Sequence, residues 1–253
     1  MPKEIIFIAI LLLSGFKGRS QFQFPDSGRI IFERKVNTRA ILPLFISEAN
    51  EAVKPEVISY VENYMMNSSQ FWVDSFQLRF NANETLYEPL NPQSVFFKET
   101  LVSYFSKVHV DLTHKIVHSE KHVFNESFHV KDSLNRIKWK LTDETREISG
   151  YECRRANGLI FDSVYVVAFY TDAIKTKGGP EVFNGLPGMI LGVALPHYHI
   201  SYFATNVDTF SATLSFSISS NNSVTPMEFN SIINNYLIEL GRLNSWTKLF
   251  IRL

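Results

Sequence analysis

Phe210-Ser-Ala-Thr-Leu-Ser-Phe-Ser-Ile218 sets Phe210, Ala212, Leu214, Phe216 and Ile218 against Ser211, Thr213, Ser215 and Ser217. A period of two puts the apolar set on one face and the hydroxyls on the other, so the segment reads as a β-strand with one dry and one wet side. Just upstream, residues 197–206 (HYHISYFATN) read as a second strand, and Val207-Asp208-Thr209 is short enough to join the two as an antiparallel hairpin. Residues 152–161 and 164–171 flank Asp162-Ser163 in the same manner and predict another hairpin. Residues 29–36, 101–116, 121–130 and 136–141 add further strands, the last with Ile137, Trp139 and Leu141 on one face against Lys138 and Lys140. The 22 Phe and 10 Tyr of the 253-residue chain suit such half-buried pleated surfaces.

Two helices stand apart from the strands. Thr225-Pro226-Met227-Glu228 places a capping hydroxyl, a proline at the first helical position and a glutamate at the third. Met227, Ile232, Ile233, Tyr236, Leu237 and Leu240 follow at helical spacing, and Gly241 is a fitting stop. Residues 55–66 form the other candidate, with Val57, Ile58, Val61, Tyr64 and Met65 as its apolar stripe. No repeat, low-complexity tract or Pro/Ser-rich linker divides the chain. The expectation is one strand-dominated α+β domain over residues 21–253, a curved antiparallel sheet or open β-barrel with one or two packed helices.

Residues 1–20 read as a cleavable secretory signal peptide: Lys3 precedes the uncharged run IIFIAILLLSGF at residues 5–16, which is too short to span a bilayer, and Gly18-Arg19-Ser20 ends in small residues. The absence of a cysteine after that run speaks against lipid attachment, and no transmembrane segment is expected after cleavage. The anticipated address is the periplasm or outer cell envelope. The chain carries 25 basic and 25 acidic residues, and cleavage after Ser20 would leave a formal charge near −2, which gives no field for nucleic acid. The single cysteine, Cys153, excludes an intrachain disulfide and reads as a small core hydrophobe.

Gly185-Leu186-Pro187-Gly188-Met189-Ile190 is the most distinctive string. Pro187 presets φ for the second position of a type II turn, and Gly188 is expected to take the positive φ of the third. With the block from Trp139 through Gly150-Tyr151-Glu152-Cys153, and with Phe169-Tyr170-Thr171 and Gly179-Pro180, it resembles the GLPGLI family of exported Bacteroidetes-type proteins. The resemblance is carried by residues 139–192. It implies an exported envelope protein and no particular reaction or cofactor.

Chemistry-bearing patterns are sparse. His197 and His199 would share a strand face about 7 Å apart and are the candidate metal ligands, a third ligand having to come from another strand. His114, His118 and His122, placed on strands broken by a turn near Ser119-Glu120, lie too far apart to share an ion. Cys153 has two arginine neighbours but no base, and no nucleophile elbow or phosphate-cradling glycine loop is present. Asp143, Glu144 and Glu147 beside Arg146 read as a polar hairpin turn with local ion pairing. These readings favour a non-enzymatic binding or accessory protein with an apolar cleft above about 300 Å³ for a lipid, a peptide or an outer-membrane partner. The alternatives are a hydrolytic enzyme with a dispersed active site and a His-based metal-binding module.

Overall fold

The computed structural model describes residues 27–90, 106–123, 126–134, 137–209, 223–239 and 245–253. The signal-peptide segment and the Phe210–Ile218 alternation lie outside these residues. The elements run β1 (Gly28–Asn37), α1 (Thr38–Glu48), α2 (Lys54–Asn67), β2 (Phe71–Phe80), β3 (Glu84–Pro89), β4 (Ser106–Asp111), β5 (Ile116–Val123), β6 (Glu126–Ser133), β7 (Lys138–Ile148), β8 (Tyr151–Ile160), β9 (Val164–Thr171), β10 (Met189–Leu195), β11 (Ile200–Thr209), α3 (Pro226–Glu239) and α4 (Ser245–Arg252). The strands form one 11-stranded sheet in the order β6-β5-β4-β3-β2-β1-β11-β10-β9-β8-β7. Every strand pairing within it is antiparallel.

Chain order and sheet order together force the sheet to curl. Read cyclically, each strand pairs with its sequence neighbour, and β11 returns to pair with β1. The pairing between β6 and β7 is the one left out, so these two strands form the sheet edges. In a flat sheet, edges ten spacings apart would be roughly 48 Å from one another. Yet only residues 134–137 separate Ser133 from Lys138, a link that reaches at most roughly 18 Å. The edges are therefore drawn towards one another across a seam, giving the curved sheet or open barrel that the sequence predicts.

Alternation along the strands fills the interior with Ile30, Phe32, Leu78, Phe80, Tyr87 and Tyr202. Helix α3 begins as expected: the Thr225 N–H donates to the Glu228 carboxylate at 2.8 Å, and the Glu228 N–H donates back to Thr225 Oγ1 at 3.2 Å. Just before it, Val224 makes a parallel bridge to Val130, which caps part of the open edge of β6. In α4, Trp246, Leu249 and Phe250 recur at helical spacing and are buried, as is Leu253 just beyond the helix.

Several sequence readings shift. Two strands and two helices were not anticipated: β2, β3, α1 and α4. The expected break near Ser119-Glu120 instead falls at residues 112–115, so β5 runs unbroken through His118 and His122. The strand expected from His197 starts at Ile200, because Pro196–Tyr198 form a 3₁₀ turn and His199 takes φ 55°. In the signature string, the positive φ belongs to Gly185, at 87°, and not to Gly188. Gly188 is required for a different reason: a Cβ there would collide with the Thr171 carbonyl oxygen on β9. Gly188→Ala is therefore expected to cost about 1–3 kcal/mol by forcing β9 and β10 apart, measurable as a lower midpoint in urea unfolding.

Candidate functional site

Three strands carry a charged residue on the inward phase of their alternation. On β1 it is Arg34 between Phe32 and Val36, on β2 Asp74 between Trp72 and Phe76, and on β5 Lys121 between Ser119 and Val123. A fourth charge arrives from the segment between β9 and β10. This segment crosses the barrel mouth, where the Thr176 hydroxyl donates to the Asn81 carbonyl at 2.8 Å, and it drops Glu181 inward in a left-handed conformation (φ 50°). Positive φ at a residue with a Cβ is strained backbone of the kind that marks functional positions.

The four charges are buried. Arg34 is 3 % exposed, Lys121 4 % and Glu181 2 %. Arg34 donates to Asp74 at 2.8 Å and lies 3.8 Å from Glu181. Its guanidinium carbon also sits over Trp72, Phe76 and Phe250, at 5.0, 4.6 and 4.8 Å from the ring centroids. Burial alone would weaken its charge, but Asp74, Tyr202 and Glu181 hold the guanidinium above its ordinary range. Asp74 is pushed up by burial and pulled back by Arg34. Burial pushes Glu181 up to about 7 against the pull of Arg34 and Lys121, and brings Lys121 down to about 8. Among the described residues, Lys121 Nζ, Glu181 Oε2 and the Tyr87 hydroxyl make no hydrogen bond. Two groups that gain and lose protons near neutrality, with unpaired polar atoms, have the properties of an acid–base site.

Lys121 also lines a cleft of about 370 Å³ at the seam. One wall is Ser119, Val130 and Asp132 of β5 and β6; the other is Leu159, Ile160 and Phe161 at the end of β8. Phe229 and Asn230 of α3 and Arg252 of α4 complete it, and Val182, the neighbour of Glu181, reaches it from the crossing segment. Arg252 stacks on Phe161, its guanidinium carbon 3.9 Å from the ring centroid. The cleft exceeds the expected size, but it is amphiphilic rather than apolar.

Few residues that drew notice in the sequence line this cleft. Trp139 reaches the start of the signature loop, its indole N–H donating to the carbonyl of Asn184, the residue just before Gly185, at 2.8 Å, and Leu186, Met189 and Ile190 are core residues. Gly150, at φ 80°, turns the chain between β7 and β8, where Tyr151 begins the return strand. Pro187 lies in the bend that leads into β10. Cys153 is buried, and its thiol is pushed up to about 12 by burial and by Glu152, which removes it as a nucleophile at neutral pH. His197 and His199 are exposed in and beside the 3₁₀ turn and do not share a strand face. Among the described residues, no three His, Cys, Asp or Glu side chains stand together as a metal site. Asp143 pairs with Arg154 at 3.0 Å across the β7–β8 hairpin, on the strand rather than in the turn.

The family model described as N-glycanase peptide, N-terminal domain, matches residues 92–227, more than half of the chain. The chain belongs to that family. This corrects the GLPGLI assignment, and with it the reading of a non-enzymatic binding or accessory protein for an apolar ligand, peptide or outer-membrane partner. The readings that rested on residues 139–192 captured strands and turns, whereas the match extends over the seam, from before β4 to the start of α3. No curated protein matches the sequence. Among solved structures, PNGF-II in a C2 crystal form is similar at TM-score 0.52 and 16 % identity, over 82 % of this chain and 32 % of that one. The P21 form gives TM-score 0.53 and 16 % identity, over 82 % and 33 %. The chain thus spans about a third of the length of the structures it matches, and at this identity the likeness concerns the fold.

The buried pair makes stability depend on pH in a defined way. For Glu181, raised from 4.5 to about 7, the folded state holds its proton more tightly, so its stabilisation is complete below pH 4.5 and is lost as pH rises through about 7. Lys121, lowered from 10.5 to about 8, behaves oppositely: its stabilisation is present above pH 10.5 and lost as pH falls through about 8. Glu181→Gln should flatten a decline on the order of 3 kcal/mol between mildly acidic and neutral pH, and Lys121→Met should raise the unfolding midpoint at pH 7. Urea unfolding across the pH range reads both effects.

Proposed function

We propose that this chain serves the hydrolytic removal of N-linked glycans, as a hydrolase or as the N-terminal domain of one, and that the seam cleft receives the sugar portion of the substrate. Residues 21–253 act as one unit in this reading. The observation that carries it is the lining of the cleft. Sugars present apolar C–H faces and hydroxyl edges together, and a ligand of that kind needs rings beside hydrogen-bonding groups. Phe161 and Phe229 supply rings; Asp132, Asn230 and Ser119 supply acceptors and donors. Glu181 and Lys121 add groups able to move protons near neutral pH. Membership of the N-glycanase family points to the same substrate class. Residues 1–20, read as an export signal, agree with a protein that meets glycoproteins outside the cytoplasm.

Titration of the chain with an N-glycosylated peptide, followed by mass spectrometry of the mixture for released glycan, tests this reading. Binding is expected, with Phe161→Ala weakening it roughly fivefold or more through loss of the stacking ring. The absence of both binding and release, in this chain and in any longer product that contains it, would overturn the reading.

A further inference from the structure

Two cations that make no ion pair among the described residues line the cleft, and Glu181 attracts Lys121 only from beyond ion-pair reach. Lys121 stands at its floor, almost wholly buried, with Nζ making no hydrogen bond among the described residues. Arg252 stands at its mouth, exposed, held flat by Phe161 and in no ion pair among the described residues. A buried ammonium left without an acceptor bears its full desolvation cost, which a ligand oxygen would relieve. The cleft also contains two carboxylates, which bear on the charge of that ligand. Asp132 is engaged by the Ser133 N–H at 2.7 Å, and Asp162 is exposed in the turn after β8. Their presence disfavours a doubly charged group. A singly charged, planar carboxylate suits both a point ammonium and a forked guanidinium.

We infer that the cleft is a binding site for an acidic sugar, one whose carboxylate is received by Lys121 at the floor and steered by Arg252 at the mouth. This deepens the glycan reading and rests on it: it names the class of glycan terminus or branch that the cleft prefers. The interior behind Lys121 reinforces the preference. When Glu181 holds its proton, Arg34 and Lys121 face Asp74 alone, and the cluster carries one uncompensated positive charge that a bound carboxylate offsets.

Calorimetric titration with one N-glycopeptide in two forms, carrying terminal sialic acid or stripped of it, tests the inference. The acidic form is expected to bind roughly tenfold more tightly, with the preference falling as salt is raised. Lys121→Met should abolish the preference, Lys121→Arg should retain most of it, and Arg252→Gln should reduce it. Thermal melts identify any variant that has not folded; the Arg252→Gln and Lys121→Arg results then decide. Equal affinity for the two forms, or a preference that survives in folded Lys121→Met, would overturn the acidic-sugar inference while leaving the glycan reading intact. Binding of neither form would overturn both.

Discussion

Residues 134–137 impose the constraint on which the rest of the structure depends. Because this four-residue link joins the two edge strands of an 11-stranded sheet, the sheet has to close on itself to within a short chain's reach. Closure creates an inside. It also leaves one seam where backbone pairing stops, and an unpaired edge must be covered or blunted. On the β6 side Val224 and α3 do the covering; on the β7 side the strand is studded with charge, from Lys138 and Lys140 to Arg146 and Glu147. The cleft is the residue of that incomplete closure, so its position follows from topology rather than from a local motif.

An enclosed interior could have been filled with hydrocarbon alone. Instead it holds Arg34, Asp74, Glu181 and Lys121, and such charges are costly unless they compensate one another. Arg34 is the best accommodated, with a carboxylate on one side and three aromatic rings around its guanidinium. One of those rings, Phe250, stacks on Trp246 at 4.7 Å, so α4 is packed onto the barrel through the same cation. Loss of Asp74 would leave that cation buried and undercompensated, at a cost on the order of 3–5 kcal/mol. Lys121 and Glu181 are less well served: Lys121 Nζ has no hydrogen bond among the described residues, Glu181 has only the 3.8 Å approach of Arg34, and both have proton affinities near neutrality. Such incomplete compensation next to a cleft is the arrangement expected where stability has yielded to function.

The sequence made the fold class legible because alternation is a local signal. The β8–β9 hairpin, the capping exchange between Thr225 and Glu228 and the helix at residues 54–67 could all be read from spacing. The charged inward residues obscured the rest. Asp74 interrupts the apolar phase of β2, and Arg34 and Lys121 do the same in β1 and β5, so each strand looked less regular than it is. Read positively, a charge on the dry phase of a strand was the available signal for the interior cluster. Helix α4 was also legible in principle, since Trp246, Leu249 and Phe250 repeat at helical spacing. The seam was not, because it depends on which strands are neighbours. The signature string drew notice for its turn chemistry, yet its glycines serve the close approach of β9 and β10 and the exit from the Glu181 segment into β10.

In the proposed function, glycan binding and proton chemistry meet at one side chain, Lys121, which belongs both to the cleft lining and to the interior cluster. An NMR titration following the Lys121 ε-methylene group, alone and with N-glycopeptide present, tests that claim most directly. A midpoint near 8 in the free protein, moving upward when glycopeptide fills the cleft, is the predicted result. A midpoint at the ordinary lysine value, or one that does not respond to glycopeptide, would contradict the account.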